Sequence, residues 1–184
     1  MTFPRISIMS YDQAEGILGS RIGPQFTHVV SINNPEEGPP APLEKHPGKH
    51  LVLHFHDISV NPGKGDFTKP GRDHVKAIIK FAKDIDEDSE VLCHCAAGIS
   101  RSSAAALIIL ATKMKISSIN AMKAVQDVLA IKSIIHPNAI MVRLADEELG
   151  WDGRLMAAHS STFTGGDLLW MPPELENLTP EDIK

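Results

Sequence analysis

The sequence has only two cysteines in 184 residues, Cys93 and Cys95, and they lie two positions apart. A pair this close cannot supply the set of disulfides that staples small secreted domains. We therefore expect both thiols to be reduced, which predicts a cytoplasmic protein.

Long hydrophobic runs are missing as well. The longest strongly apolar stretch covers residues 104–111, far short of the roughly 20 residues that a membrane-spanning helix needs. The N-terminal residues do not show a charged region followed by a long apolar core, so we expect no signal peptide. These absences predict a protein with no membrane partner.

Positive charge is not in excess either. Eighteen Lys and Arg against 23 Asp and Glu give a net charge of −5, which argues against nonspecific binding to nucleic acid. The length suits one folded domain with a sizeable core. We place that domain over residues 1–158 and a tail over 159–184, since the last stretch is rich in Ser, Thr and Gly and then in proline and acidic residues.

The chain does contain a regular alternation of β-branched runs and amphipathic segments. This pattern predicts an α/β fold, a single domain with a central, mostly parallel sheet of about four to five strands flanked by helices. Ser10 begins a capping box for the first helix, and Asn138 and Gly150 flank the last one. The predicted strands cover 5–9, 28–32, 50–56 and 90–94. The later helices are predicted over 73–85, 102–113 and 138–149. Between the last two, Ser117 or Ser118 caps a further helix, whose inward-facing residues are predicted to be Ile119, Met122, Val125, Val128 and Leu129.

One stretch, residues 91–110, joins an apolar strand, a loop of small residues and a strongly apolar helix. Backbone N–H groups in such a loop, together with the helix dipole, form a cradle for a phosphate-like anion. Arg101 offers a planar fork to two phosphate oxygens, and Cys95 at the base of the cradle is a candidate nucleophile. The Ser102 hydroxyl is placed to donate to the sulfur. The predicted phosphate-binding residues are Ala96, Ala97, Gly98, Ile99, Ser100 and Arg101.

The order His94-Cys95, five residues, then Arg101-Ser102 resembles the signature motif of the cysteine-dependent protein tyrosine phosphatases. Cys-Ala-Ala-Gly-Ile-Ser-Arg-Ser is most similar to the dual-specificity branch and to small bacterial predicted tyrosine phosphatases. The resemblance, which covers roughly residues 50 to 150, implies a phosphatase-type phosphate-binding loop and phosphomonoester hydrolysis through a phosphocysteine on Cys95, with no metal or other cofactor. It also implies that His94 supports the loop through hydrogen bonds, and that the partner is a phosphorylated protein or a small phosphomonoester.

Such a reaction needs a general acid for the leaving oxygen. In the resembling family this group is an Asp on a loop after a strand, and Asp57 in Phe55-His56-Asp57-Ile58 matches that position. Asp66, in the Gly-rich segment that follows, is the second candidate. Asp57 has an alternative interpretation as a turn-forming residue.

Substrate preference is less constrained by the sequence. The loop residues between Cys95 and Arg101 include no lysine, whereas members of the resembling family that act on phosphoinositides often carry basic residues there. The only tyrosine, Tyr11, is distant in sequence, so no aromatic clamp for phosphotyrosine is evident. We expect phosphotyrosine as substrate, and a shallow pocket would also admit phosphoserine and phosphothreonine.

Two other functions use the same residues. A noncatalytic phosphopeptide-binding module would keep the cradle but misplace the general acid. A sulfurtransferase or arsenate reductase would use the same thiolate, and arsenate reduction would require Cys93 as a resolving thiol. For Cys93 a small buried apolar role is the preferred interpretation.

Overall fold

The computed structural model describes residues 3–58 and 67–163. Its sheet consists of β1 (Arg5–Met9), β2 (His28–Asn33), β3 (Lys49–His54) and β4 (Glu90–His94). The strand order is β1-β4-β2-β3 and every neighbouring pair is parallel. The predicted α/β class and parallel sheet are confirmed.

Within residues 3–58 and 67–163, six α-helices and two short 3₁₀ helices connect and follow the strands. Each strand-to-strand connection in this parallel sheet must return to the same end of the sheet, which helices or long crossovers accomplish. The α-helices are α1 (Tyr11–Leu18), α2 (Arg72–Lys83), α3 (Arg101–Lys113), α4 (Ser118–Ile131), α5 (Ala139–Leu149) and α6 (Arg154–Thr162), and the 3₁₀ helices cover Gly23–Gln25 and Ala41–Lys45.

Helix α3 lies at the centre of the larger core. All its residues from Arg101 to Ala111 are buried, as expected for a segment that is apolar nearly all round. It packs against the sheet and against α2, α4 and α5. A smaller core, formed by Val29 and Leu92 with residues of α1 and Leu43, covers the other sheet face. The two central strands, β2 and β4, are therefore buried on both faces, whereas the edge strand β3 is largely exposed.

The helix ends follow the caps expected from the sequence. Ser10 and Gln13 form a reciprocal capping box at α1, and Ser117 caps α4 through the N–H of Asn120. Asn138 caps α5, which ends at Gly150 in the left-handed conformation. These local signals located the elements to within one or two residues.

Several details differ from the sequence analysis. Ile119 was predicted to face inward but its side chain is 81% exposed. Strand β3 ends at His54 instead of residue 56, and α3 begins at Arg101 instead of Ser102. Helix α6 was not predicted, and it crosses the 158/159 boundary of the expected tail. The tail beyond residue 163 lies outside the described residues.

Within the described part of the chain, no helix is both long and apolar enough to cross a membrane.

Candidate active site

Three strands of the sheet end at the same edge, and polar side chains follow each of them. Asn34 follows β2, Asp57 follows β3 and Cys95 follows β4. Because parallel strands present their carboxyl ends together, these segments converge. The site is therefore built from parts of the chain that are far apart in sequence.

Cys95 lies at the floor of the loop that joins β4 to α3. It is 1% exposed, while the next two residues, Ala96 and Ala97, are exposed at the mouth. The Ser102 Oγ atom lies 3.2 Å from Cys95 Sγ, which is within hydrogen-bond distance for sulfur. The structure thus brings the predicted nucleophile and the predicted Ser102 hydroxyl together.

Gly98 allows this loop to fold tightly against β1. Its φ of 70° lies in the left-handed region, and a Cβ atom there would lie 2.5 Å from the carbonyl carbon of Met9. Both the conformation and the close approach require glycine. Behind the loop, Lys132 Nζ donates a hydrogen bond of 2.8 Å to the Gly98 carbonyl. A cation therefore lies next to a loop whose own sequence has no lysine.

The N-terminus of α3 is left open toward the loop. Its N-cap residue, Ser100, makes no side-chain cap, and the first turn has no acidic residue. Instead, Ser100 Oγ donates to Asp57 Oδ1 over 2.6 Å. The first N–H groups and the positive end of the helix dipole therefore face the loop without an internal carboxylate cap.

Arg101 is almost fully buried, and its donors are divided between the protein and the pocket. Nη1 donates to Asn34 Oδ1 at 2.9 Å and to the Phe55 carbonyl at 2.7 Å. Nε is buried and has no hydrogen-bond partner among the described residues, and the nearest carboxylate oxygen, Asp57 Oδ2, is 4.0 Å away. A buried guanidinium N–H without an acceptor is costly, so this edge is arranged to meet an anion.

Asp57 lies beside Arg101, and its carboxyl group is held at one oxygen. Oδ1 accepts hydrogen bonds from Ser100 Oγ and, at 3.0 Å, from Asn138 Nδ2. The side chain is 37% exposed, so solvent and substrate can reach it. Asp66, the second candidate, lies outside the described residues.

His94 differs from what the resemblance implied. It is fully buried, and neither ring nitrogen has a hydrogen-bond partner within the described residues. The ring contacts Tyr11 edge-on, with centroids 6.0 Å apart. Burial, and then the Arg101 charge, lower the pKa of His94 to about 4. The imidazole is therefore neutral at physiological pH and packs against Tyr11.

Cys93 lies inside the core, between its β1 neighbour Ile8 and its β2 neighbour Val30. It is completely buried, and burial raises the pKa of its thiol, with Cys95 adding to the effect. Both cysteines are free thiols. A buried thiol that resists ionisation behaves as a small apolar side chain.

Three residues of the site were missed by sequence reasoning. Asn34 accepts from Arg101, Asn138 donates to Asp57, and Lys132 holds the loop carbonyl. Asn34 had a usable signal, because it follows a strand at the edge where parallel strands present ligands. Lys132 had none, since its contact depends on how α4 ends beside the loop. The described residues contain no group of three or more His, Cys, Asp or Glu side chains suited to a metal ion.

Comparison with solved structures relates this fold to phosphatases. The human tyrosine phosphatase-like serine/threonine/tyrosine-interacting protein is 22% identical, with a TM-score of 0.55 over 79% of this chain and 91% of that one. Human DUSP28 is 16% identical, with a TM-score of 0.56 over 88% and 99%. Tk-PTP in its active form is 16% identical, with a TM-score of 0.55 over 79% and 92%. The chain has the dual-specificity phosphatase fold. No protein-family model and no curated protein matches the sequence.

Proposed function

We propose that this protein is a cysteine-dependent phosphomonoesterase that hydrolyses phosphotyrosine, and phosphoserine or phosphothreonine where they reach the cysteine, through a phosphocysteine at Cys95. The observation that carries the proposal is the buried Nε of Arg101, which has no hydrogen-bond partner among the described residues and lies at the N-terminus of α3, six residues after Cys95. The dual-specificity phosphatase fold supports the same function.

Phosphate binding follows from the unused donors of the site. Nη1 of Arg101 is occupied by Asn34 and Phe55, which leaves the Nε side of the fork for phosphate oxygens. The loop amides from Ala96 to Ser100 and the end of α3 add further donors. The exposed Ala96 and Ala97 let a substrate enter from one side.

The reaction then needs two proton transfers. Cys95, as the thiolate, attacks phosphorus, and the bond to the leaving oxygen breaks as Asp57 donates its proton to that oxygen. Water next attacks the phosphocysteine and gives a proton to the Asp57 carboxylate, and the S–P bond breaks to release phosphate. The Ser102 hydroxyl, 3.2 Å from the sulfur, stabilises the departing thiolate.

A noncatalytic phosphate-binding module is the second candidate, because the binding half of the site does not depend on Asp57. One structure of the same fold is described as phosphatase-like and as an interacting protein. Sulfur or arsenate chemistry has less support, since burial raises the pKa of the Cys93 thiol, the only other cysteine.

The test is hydrolysis of p-nitrophenyl phosphate by the full chain in EDTA, with orthovanadate as inhibitor. We expect metal-independent turnover that Cys95→Ser abolishes while vanadate still binds. Cys93→Ala is the matched control, because it removes the neighbouring thiol without touching the loop, and it should keep wild-type activity. With phenyl phosphate, whose leaving oxygen is more basic and needs the proton more, Asp57→Ala should lower turnover about 10²–10⁴-fold, the usual contribution of a positioned acid–base group.

Each other result has a definite meaning. Activity retained in Cys95→Ser would contradict the assignment of Cys95 as the nucleophile. Vanadate binding without turnover by the wild type would favour the phosphate-binding module. An unchanged rate in Asp57→Ala would transfer the acid role to Asp66.

A further inference from the structure

Asn138 is buried at the point where three parts of the site meet. Its side chain is fully buried. Nδ2 donates to Asp57 Oδ1 at 3.0 Å and to the Ile58 carbonyl at 3.1 Å. Its backbone N–H donates to the Ser100 carbonyl. One residue thus ties the segment after β3 to the phosphate-binding loop.

Helix capping alone does not explain an asparagine here. Asn138 Oδ1 accepts from the N–H of Met141 and caps α5, a task that serine or aspartate performs equally well. An amide differs from those groups because it accepts with one atom and donates with the other. The donor atom, Nδ2, is the one directed at Asp57. Asparagine therefore supplies a hydrogen-bond donor to the carboxyl group and an acceptor to the helix N-terminus at the same time.

The two hydrogen bonds on Oδ1 determine how the Asp57 carboxyl group is turned. Oδ1 accepts from Ser100 and from Asn138, which occupies that oxygen as an acceptor. Oδ2 is left toward Arg101, 4.0 Å from Nε, on the side where a phosphate would bind. The oxygen free to carry a proton is therefore the one that faces a leaving group.

From this geometry we propose that Asn138 is the positioning residue of the general acid, and that it acts on the reaction only through Asp57. This inference rests on the proposed phosphatase function. Asn138 does not touch substrate in this arrangement. Its contribution is to hold the half-exposed Asp57 carboxyl group so that Oδ2 meets the leaving oxygen.

The informative variant is Asn138→Ser, which keeps a capping oxygen for α5 and removes the amide donor. Protonation by Asp57 matters more for a poor leaving group, so phenyl phosphate should lose about 10–100-fold in kcat, the scale expected for a misplaced catalytic group. p-Nitrophenyl phosphate should lose much less, and vanadate inhibition should stay within about 2-fold, because the cradle does not change.

Combining the variants tests the route of the effect. In an Asp57→Ala background, Asn138→Ser should cause no further loss, because residues that act as one unit are not additive. Ser117→Ala is the control for a lost helix cap, since Ser117 caps α4. It should lower thermal stability without changing the dependence on leaving group.

A second variant keeps the test decisive if Asn138→Ser folds poorly. Asn138→Asp retains a good N-cap but places a second carboxyl group against Asp57. Like charges disfavour double ionisation, so Asp57 should keep its proton to higher pH, and the high-pH limb of the kcat/KM profile should move upward.

The outcomes separate the two proposals. Equal losses for both substrates, or a further loss on top of Asp57→Ala, would overturn the positioning role while leaving the phosphatase function intact. A wild type that turns over neither substrate would overturn the phosphatase function and this role with it.

Discussion

Arg101 shows how a single side chain is prepared for an anion by its neighbours. One guanidinium nitrogen, Nη1, is fixed by Asn34 and by the Phe55 carbonyl, and this holds the planar group with Nε 4.0 Å from Asp57 Oδ2. Asn34 is only partly buried, but of the two acceptors that bind Nη1 it is the one that belongs to a side chain. The orientation of the edge proposed to bind phosphate therefore depends on Asn34, which the proposal does not place among the phosphate ligands.

Removing that acceptor should weaken anion binding. A hydrogen bond to a charged group contributes about 1.5–3 kcal/mol, and the Phe55 carbonyl still holds Nη1, so we expect Asn34→Ala to raise the vanadate inhibition constant about 10-fold. The loss in kcat/KM should be the same for phenyl and p-nitrophenyl phosphate, since Arg101 binds phosphate and not the leaving group. Asn120→Ala, which removes an amide from the first turn of α4, is the control. Unchanged vanadate inhibition in Asn34→Ala would contradict this role.

The residues that could be predicted from sequence are those whose chemistry is local. Cys95, Arg101 and Ser102 lie within one loop and the first turn of the helix that follows it, and their spacing alone indicates an anion site. Asn34 and Asn138 contribute through contacts between segments 67 and 81 positions apart. The position of Asn34 after a strand marks it only as a candidate. No local pattern identifies its partner or that of Asn138, because asparagine is common at strand ends and helix caps for backbone reasons alone.

At the scale of elements, helices α3 and α4 show when apolar patterns are reliable. Helix α3 is apolar nearly all round, so every orientation predicts burial, and that prediction is confirmed. Helix α4 carries apolar residues on more than one side. Its buried face consists of Ala121, Ala124, Val125 and Val128, at the i, i+3, i+4, i+7 spacing of one face. Of the residues predicted to face inward, Val125 and Val128 are buried and Met122 and Leu129 pack against the core, whereas Ile119 lies on the opposite side and is exposed.

This difference predicts opposite responses to the same substitution. Ile108 in α3 is completely buried, whereas Ile119 is 81% exposed. Ile108→Ala leaves a cavity in the core and should lower the free energy of unfolding by about 2–5 kcal/mol, while Ile119→Ala should change it by less than about 0.5 kcal/mol. Urea unfolding of both variants measures this. Similar losses at the two positions would mean that α4 packs in another orientation.

At the scale of the whole molecule, histidines that lose contact with water on folding link stability to pH. Desolvation is the first cause that lowers the pKa of His28, His50 and His74, as it is for His94, whose pKa falls to about 4. In the unfolded chain a histidine has a pKa near 6.5. At pH values between the lowered pKa of a folded-state histidine and about 6.5, the unfolded state binds protons that the folded state does not bind. The contribution of these histidines to stability is therefore fully present above about pH 6.5 and is lost as the pH falls toward 4.

For His94 the size of this effect follows from its pKa. A difference of one pKa unit corresponds to about 1.4 kcal/mol, so His94 alone should contribute a loss of about 3 kcal/mol between pH 7 and pH 4. Urea unfolding across this range should show that His94→Gln has a much shallower pH dependence than wild type, whatever its stability at neutral pH. His54→Gln changes an exposed histidine and should keep the wild-type slope. An identical slope in His94→Gln would show that its imidazole is protonated in the folded protein, and the neutral, packed role assigned to it beside the nucleophile would then be wrong.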